Sequence, residues 1–377
     1  MIVQYEETGK VDPFRSMVAE LSASPDVQGL MVLACDGNDW TAEELDPVLT
    51  ALETPVFGGI FPQIIHGRHN RERGTLMVGL PVRPEVEWIH GLSGSAATLA
   101  GQVEAVADGW GADLIESSDT LFVFVDGLGR GISTLVESLF FCFGLERNLL
   151  GGGAGSLSFV QRPCIVTPEG LKEDAAVIVK LPMRSGVGVA HGWDPISEGM
   201  KVTEADRNVI QTLDWRPAFH VYRELVEAHS GKSFEDHDFF DLAKGYPFGI
   251  NKLGTEVVVR DPFKVAERDG LVCVGEVPSG ATVKLLTGST ESLIAAAGRA
   301  RRLAEESAPF RAGPEHPALF IDCISRVLYL REAIEREVEV AGGDRCLFGA
   351  LTLGEIANSG KDYLEFYNKT AVLALLD

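Results

Sequence analysis

One order of segments comes round three times along this chain, and it constrains the fold more than any single motif does. Residues 29–34 (GLMVLA) form a continuous apolar run of strand length. Thr41 then caps TAEELDPVLTALE, a helix with acids in its first turn, and Pro55 stops it. PVFGGIF follows as a buried strand carrying glycine, and residues 75–81 (TLMVGLP) close the set. The order returns as residues 120–127 (TLFVFVDG), the helix ISTLVESLFFCFG ended by Gly144, residues 149–155 (LLGGGAG) and residues 175–182 (AAVIVKLP). It returns again as residues 318–323 (ALFIDC), the helix SRVLYLREAIEREVEVAG, residues 346–356 (CLFGALTLGEI) and residues 370–376 (TAVLALL). Small residues fall in the same place each time: Gly58 and Gly59, then Gly151, Gly152 and Gly153, then Gly349 and Ala350. The pattern predicts a degenerate strand–helix–strand–strand repeat, with two copies in the first half and one in the second. Gly58, Gly152 and Gly349 are expected at equivalent central positions of their sheets.

Different material separates the second and third copies. Residues 185–193 and 200–214 alternate like exposed strands, RPAFHVYRELVEAHSG is a helix ended by Gly231, and EVVVRDPFKV and LVCVGEVPSGATVKLLTG read as antiparallel strands. TESLIAAAGRARRLAEES is a capped amphipathic helix. Strands joined both by helices and by short hairpins predict an α+β fold, with mixed, largely antiparallel sheets covered by helices. Near residues 213–217 strand pattern gives way to helix, which divides the chain into 1–212 and 213–377.

Charge narrows the partners. The chain of 377 residues has 55 acidic and 33 basic side chains, a net charge of −22. Such a field repels phosphate backbones and anionic lipid heads, so neither nucleic acid nor a membrane surface is expected as partner. The start, MIVQYEETGKVDPF, lacks a basic stretch followed by an apolar run, and no apolar run approaches membrane-spanning length. Cys35, Cys142, Cys164, Cys273, Cys323 and Cys346 include no C-x-x-C pair, which predicts reduced thiols in a cytoplasmic protein.

Several short segments place polar or small residues at strand ends, where ligand clefts form. DGLGRGIS (126–133) lies between a strand and a helix, a place where free backbone N–H groups attract anions, yet its G-x-G-x-G spacing equally suits a tight turn. The run Gly151, Gly152, Gly153 permits close approach by a neighbouring strand or a ligand. Val187, Val189, His191 and Trp193 alternate, which predicts that His191 and Trp193 face the core beside a cavity bordered by those glycines. His191 could ligate a metal or haem, or bond a backbone group; His66 and His69 could offer two nitrogens. Cys323 and Arg326 sit where a strand meets a helix, so the thiol is either activated by the cation or buried and inert. Glu355 and Asn368 stand at a strand end and before a strand. No H-E-x-x-H and no G-x-S-x-G occurs.

Taken together, GGIFPQ (58–63), LLGGGAGS (149–156), HGWDPIS with VTEADRNVIQTLD (191–214), PAFHVY, DCISR, GALTLGEIANSG (349–360) and FYNKTAV (366–372) resemble the FIST family of sensory domains, in both its amino- and carboxy-terminal halves. The resemblance implies a non-catalytic small-ligand sensor, with ligands such as amino acids, that signals to a separate partner because this chain has no output module. It also implies one alternative, a haem-binding nitric-oxide sensor regulating a histidine kinase, with His191 as axial-ligand candidate and His66 as reserve; the residues themselves leave a second, an enzyme of unknown reaction using Cys323 or a carboxylate pair. His191, Trp193, Gly151, Gly152, Gly153, Arg326, Glu355 and Asn368 are the expected ligand-binding residues.

Overall fold

The fold is taken from a computed structural model, which describes residues 1–111, 119–144, 147–251, 257–359 and 363–377. The first repeat unit runs β1 (Ile2–Glu6), α1 (Val11–Ser22), β2 (Gly29–Cys35), α2 (Ala42–Leu49), β3 (Val56–Phe61), β4 (Gln63–His66), β5 (His69–Arg71) and β6 (Thr75–Leu80). The second runs β7 (Glu85–His90), α3 (Ala96–Trp110), β8 (Thr120–Asp126), α4 (Ile132–Phe143), β9 (Asn148–Ala154), β10 (Ile165–Thr167), β11 (Gly170–Lys172) and β12 (Ala175–Leu181). The third opens with β13 (Ser185–Ala190) and is then interrupted. The interruption holds β14 (Asp194–Pro195), β15 (Met200–Asp206), β16 (Val209–Leu213), β17 (Arg216–Pro217), α5 (Ala218–Ser230), α6 (Phe239–Ala243), β18 (Phe248–Ile250), β19 (Val258–Val265), β20 (Leu271–Val274) and β21 (Thr282–Thr287). The third unit resumes with α7 (Thr290–Ser307), β22 (Ala318–Cys323), α8 (Ile324–Leu330), α9 (Ile334–Gly342), β23 (Leu347–Thr352), β24 (Glu355–Ser359), β25 (Glu365–Tyr367) and β26 (Ala371–Leu376).

Each unit builds one sheet on the same plan. Its central strand pairs in parallel with its glycine strand and antiparallel with its closing strand: β2 with β3 and β6, β8 with β9 and β12, β22 with β23 and β26. An outer strand completes the other edge: β1 on β6, β7 on β12, β13 on β26. The registers superpose, since Gly58 faces Val32, Gly151 faces Val123 and Gly349 faces Phe320. At all three a Cβ would be driven into the carbonyl oxygen of that opposite residue, so the two backbones approach as only glycine allows. The expected equivalence therefore holds with one correction: the middle member is Gly151, not Gly152.

The strands between glycine strand and closing strand were not read from the sequence, and they tie the units together. Hairpin β4–β5 of the first unit pairs with β23 of the third, β10–β11 of the second with β3 of the first, and β24–β25 of the third with β9 of the second. The same contact recurs: Ile65 opposite Gly349, Val166 opposite Gly58, Ile356 opposite Gly151. Residues 346–356, expected as one strand, thus split at Leu353 and Gly354 between two sheets. The three glycine strands meet around a common axis. Sheet inner faces pack there through rings such as Phe57 on Phe122 and Phe61 on Phe124, with centroids 6.1 and 5.4 Å apart. Helices cover the outer faces: α3 and α4 over Leu121, Val123 and Val125, and α7 to α9 over Ala318, Phe320 and Leu373.

The interruption is a barrel. Strands β21, β15, β16, β20, β19 and β18 pair in turn, and β18 pairs back with β21. Residue 213 ends β16 within this sheet. Where β13 was expected to be exposed, it is buried beneath α7; Gly186 and Gly188 leave room for the backbone of Ala304 and Ala300. No helix among the described residues is long and apolar enough to cross a membrane.

Candidate functional site

A cleft of about 530 Å³ opens where the second unit, the third unit and the barrel meet. The second unit supplies the loop from β8 into α4 (Gly127, Leu128, Gly129, Arg130) and the first residues of the helix. The third unit supplies Cys323, Ser325 and Asn368 from the strand ends, and the barrel supplies Arg207, Asp261 and Phe263. Much of the remaining lining is apolar, from Leu157, Phe240, Leu328, Leu353 and Phe366. DGLGRGIS serves as both things its sequence allows. Asp126 takes the Leu128 amide at 3.0 Å in a tight turn, and the segment then opens α4 on the cleft wall with Gly131 as a cap that offers no side chain.

The polar floor is the unusual part. Asn368 is 1% exposed, and both amide atoms of its side chain have no hydrogen-bond partner among the described residues. Asp261, also buried, pairs through Oδ2 with Lys369 Nζ at 3.0 Å and leaves Oδ1 without a partner. Burial raises the Asp261 pKa, and Lys369 pulls it back only in part. The Lys369 ammonium also donates to the Lys244 carbonyl at 2.9 Å and lies 5.1 Å from the centre of the Trp193 ring.

Five of the eight expected residues gather around the turn from Asn368 to Thr370, directly below this floor. Arg326, fully buried, donates from Nη1 to the carbonyls of His191 (2.7 Å) and Lys369 (3.1 Å), and from Nη2 to that of Leu293 (2.9 Å). Its Nε meets Glu337 Oε1 at 3.0 Å and Asp322 Oδ1 at 3.1 Å. Trp193 Nε1 donates to the Lys369 carbonyl at 3.1 Å. Glu355 Oε2 accepts from the Thr370 amide at 3.1 Å, and Oε1 from Thr352 Oγ1 at 3.2 Å. Of the eight, Asn368 alone lines the cleft. Gly151, Gly152 and Gly153 are brought instead against β8 and the Leu353–Gly354 turn, with the Gly153 amide donating to the Gly354 carbonyl at 2.8 Å.

The alternation through His191 and Trp193 does not continue in space. β13 ends at Ala190, and Gly192 takes φ of +78° where a Cβ would strike the Ser292 carbonyl. His191 Nδ1 accepts from the Trp193 amide at 2.9 Å. Burial, helped by Arg299 and Arg326, lowers the imidazole pKa to about 4. The ring is neutral and lies outside the cleft, whose lining includes no histidine, so the residues present do not fit a haem held there by a protein imidazole. His66 stacks on Tyr5 at 4.7 Å and His69 meets Glu335 at 3.0 Å, both away from the cleft. No cluster of three metal-ligating side chains occurs among the described residues.

Burial decides the protonation of the remaining groups. It raises the Cys323 thiol pKa far above the usual range, helped by Glu355, which favours the protonated thiol. It raises Asp322 and Glu337 as well, and lifts Glu355 to about 8 against the pull of Cys323, Thr370 and Thr352. The six cysteines are unpaired. Sequence reading missed Asp261, Arg207 and Phe263, because the barrel brings them to the cleft from a distant stretch of chain.

The chain thus combines a threefold set of linked sheets with a barrel and a cleft where they meet. The FIST N domain family matches residues 29–216 and the FIST C domain family residues 218–358, so the chain belongs to the FIST family, whose domains are sensory modules for small ligands in signal transduction. No curated protein matches the chain.

Proposed function

We propose that this protein is a non-catalytic small-ligand sensor that acts on a separate partner from the cytoplasm, and that the cleft between the second unit, the third unit and the barrel is its ligand site. One observation carries this reading: two residues of the cleft lining, Asn368 and Asp261, hold three buried hydrogen-bonding atoms without a partner among the described residues. Leaving such groups unpaired costs roughly 1 to 3 kcal/mol each, and a ligand that bonds them recovers that energy. Residues on the turn below connect the floor to Arg326, Trp193 and Glu355, so a ligand that shifts Asn368 strains bonds reaching α7, through the Leu293 carbonyl, and the end of β13. A histidine kinase is the partner type the family suggests. Cys323 lies in the cleft as a protonated thiol with Ser325 Oγ donating to it at 3.0 Å, which supports binding rather than nucleophilic chemistry.

Thermal melting against a panel of small metabolites tests the reading. Ligands that raise the melting temperature of the wild type should fail to do so in Asn368→Ala, while the unliganded melting temperature of that variant stays close to wild type. Shifts that survive in Asn368→Ala would place the ligand elsewhere. The haem alternative has its own readout: a Soret band after haem reconstitution that His191→Ala abolishes would replace this reading.

A further inference from the structure

Three residues of the cleft lining are exposed, Arg130, Arg207 and Phe159, and they mark its mouth. All three are fixed at the backbone. The Arg130 amide donates to Ser93 Oγ at 3.3 Å, the Arg207 carbonyl accepts from the Val277 amide at 3.0 Å, and the Phe159 amide donates to the Ser156 carbonyl at 3.1 Å. The two guanidinium groups, one from the second unit and one from the barrel, have no ion pair among the described residues. The other charges on the lining are the carboxylates of Asp261 and Glu276, and each has a buried cation behind it. Asp261 pairs with Lys369 at 3.0 Å. The field of Glu276, with that of Glu365, falls on the buried Arg260, whose Nε also donates to the Glu276 carbonyl at 2.9 Å. Asp126, at the root of the Arg130 turn, accepts from the Leu128 and Asp174 amides and from Gln161. The mouth is therefore where an incoming anion meets cations that no acid in the protein contacts. Phe159 adds a second demand. It is 59% exposed and takes φ of +55°, a costly conformation for a large side chain. Its ring lies parallel to Phe263 of the barrel, planes 1° apart and centroids 6.3 Å apart, and Phe240 and Phe366 also line the cleft. A strained, exposed ring gains little in the free protein, whereas a flat ligand that covers it gains both burial and stacking.

Resting on the cleft being the ligand site, we propose that it takes an aromatic acid, a flat ring system bearing one anionic group. The ring lies among the phenylalanines and covers Phe159, and the anionic group stays at the mouth with Arg130 and Arg207. Guanidinium groups suit a carboxylate or a phosphate there, through charge-assisted hydrogen bonds.

Calorimetric titration with ring-matched compounds tests this. The net charge of −22 works against every anion, so a preference for one reads the local arginines. 2-Naphthoate should bind wild type roughly 10-fold more tightly than the neutral 2-naphthamide, and 2-naphthylmethylamine should bind most weakly. Decahydro-2-naphthoate, which keeps the charge and loses the π-system, should be weaker than 2-naphthoate. 2-Naphthyl phosphate against 2-naphthoate shows which anionic group the mouth prefers. Arg130→Gln and Arg207→Gln should each shrink the preference for naphthoate over naphthamide, and the double variant should abolish it. Both arginines are exposed and unpaired, so these variants should melt with wild type. Phe159→Ala should weaken naphthoate and naphthamide alike. Equal affinity for naphthoate and naphthamide overturns the proposal, as does a preference that survives in the double variant, or silence of all these compounds at millimolar concentration. If the compounds fail in one of these ways while another small molecule binds in an Asn368-dependent way, the ligand class is wrong and the cleft stands. If no compound of a broad metabolite panel gives an Asn368-dependent shift, the cleft assignment fails with it.

Discussion

Carboxyls removed from water hold their protons to higher pH, and Glu355, raised to about 8 from an ordinary 4.5, links that effect to the pH dependence of the whole fold. Below 4.5 the folded and unfolded chains both carry its proton and the contribution to stability is complete. As pH rises toward and through 8 the unfolded chain ionises first, so the stability is progressively lost, on the order of several kcal/mol. Glu355→Gln removes this titration. The fall in melting temperature between pH 5 and 8 should be shallower in the variant than in wild type, and an unchanged slope would assign the pH dependence to other groups. His191, lowered to about 4 from 6.5, works in the opposite sense: its contribution is present above 6.5 and is lost as pH falls toward 4. Arg326 is the cation that makes the neighbouring acids tolerable, with Asp322 and Glu337 both fully buried beside it. Arg326→Met should cost about 3 to 5 kcal/mol of unfolding free energy in denaturant titrations, because it strands those carboxyls. A loss within experimental error of zero would show that they are protonated and self-sufficient.

At the scale of elements, the glycine strands make the sharpest claim. Gly58→Ala, Gly151→Ala and Gly349→Ala each push a methyl group into a facing carbonyl, and should destabilise by similar amounts, at least 1 to 3 kcal/mol. Gly101 on α3 has open space where a Cβ would sit, so Gly101→Ala should be neutral or stabilising by up to about 1 kcal/mol. Chemical denaturation of the four variants distinguishes close backbone approach from a general sensitivity to lost glycine. These strands were legible in the sequence, because runs such as GLMVLA and TLFVFVDG are apolar on both faces and the helices between them carry caps or glycine stops. The exchanged hairpins were not. Their outer strands, HNR, GLK and EFY, are three residues long with little alternation, and their partners lie in another unit, so local pattern contains no trace of the pairing. The site divides in the same way. Asn368 was readable as a polar residue just before an apolar strand. Glu355 had the same signature and is wholly buried, and a strand-period reading carried His191 and Trp193 onto one face although Gly192 turns the chain between them.

Over the whole molecule, the exchange of hairpins means that no unit owns a complete sheet, and only the first unit's sheet, completed by β10 and β11, lies wholly within residues 1–212. The sheet of the second unit needs β24 from the third, and that of the third needs β4 from the first. Residues 1–212 and 213–377 produced separately should therefore be largely unfolded or aggregated, and should recover a cooperative melting transition when refolded together; two halves that each melt cooperatively alone would contradict this. There is also a consequence for synthesis. The first hairpin leaves the ribosome with Ile64 and Ile65, both fully buried in the finished protein, long before the strand they pack beside, Leu347–Thr352, has been translated. The nascent chain must carry that sticky arm unpaired through most of its elongation, so its yield in a cell is set by whatever shields the arm in the interval as much as by the stability of the finished fold.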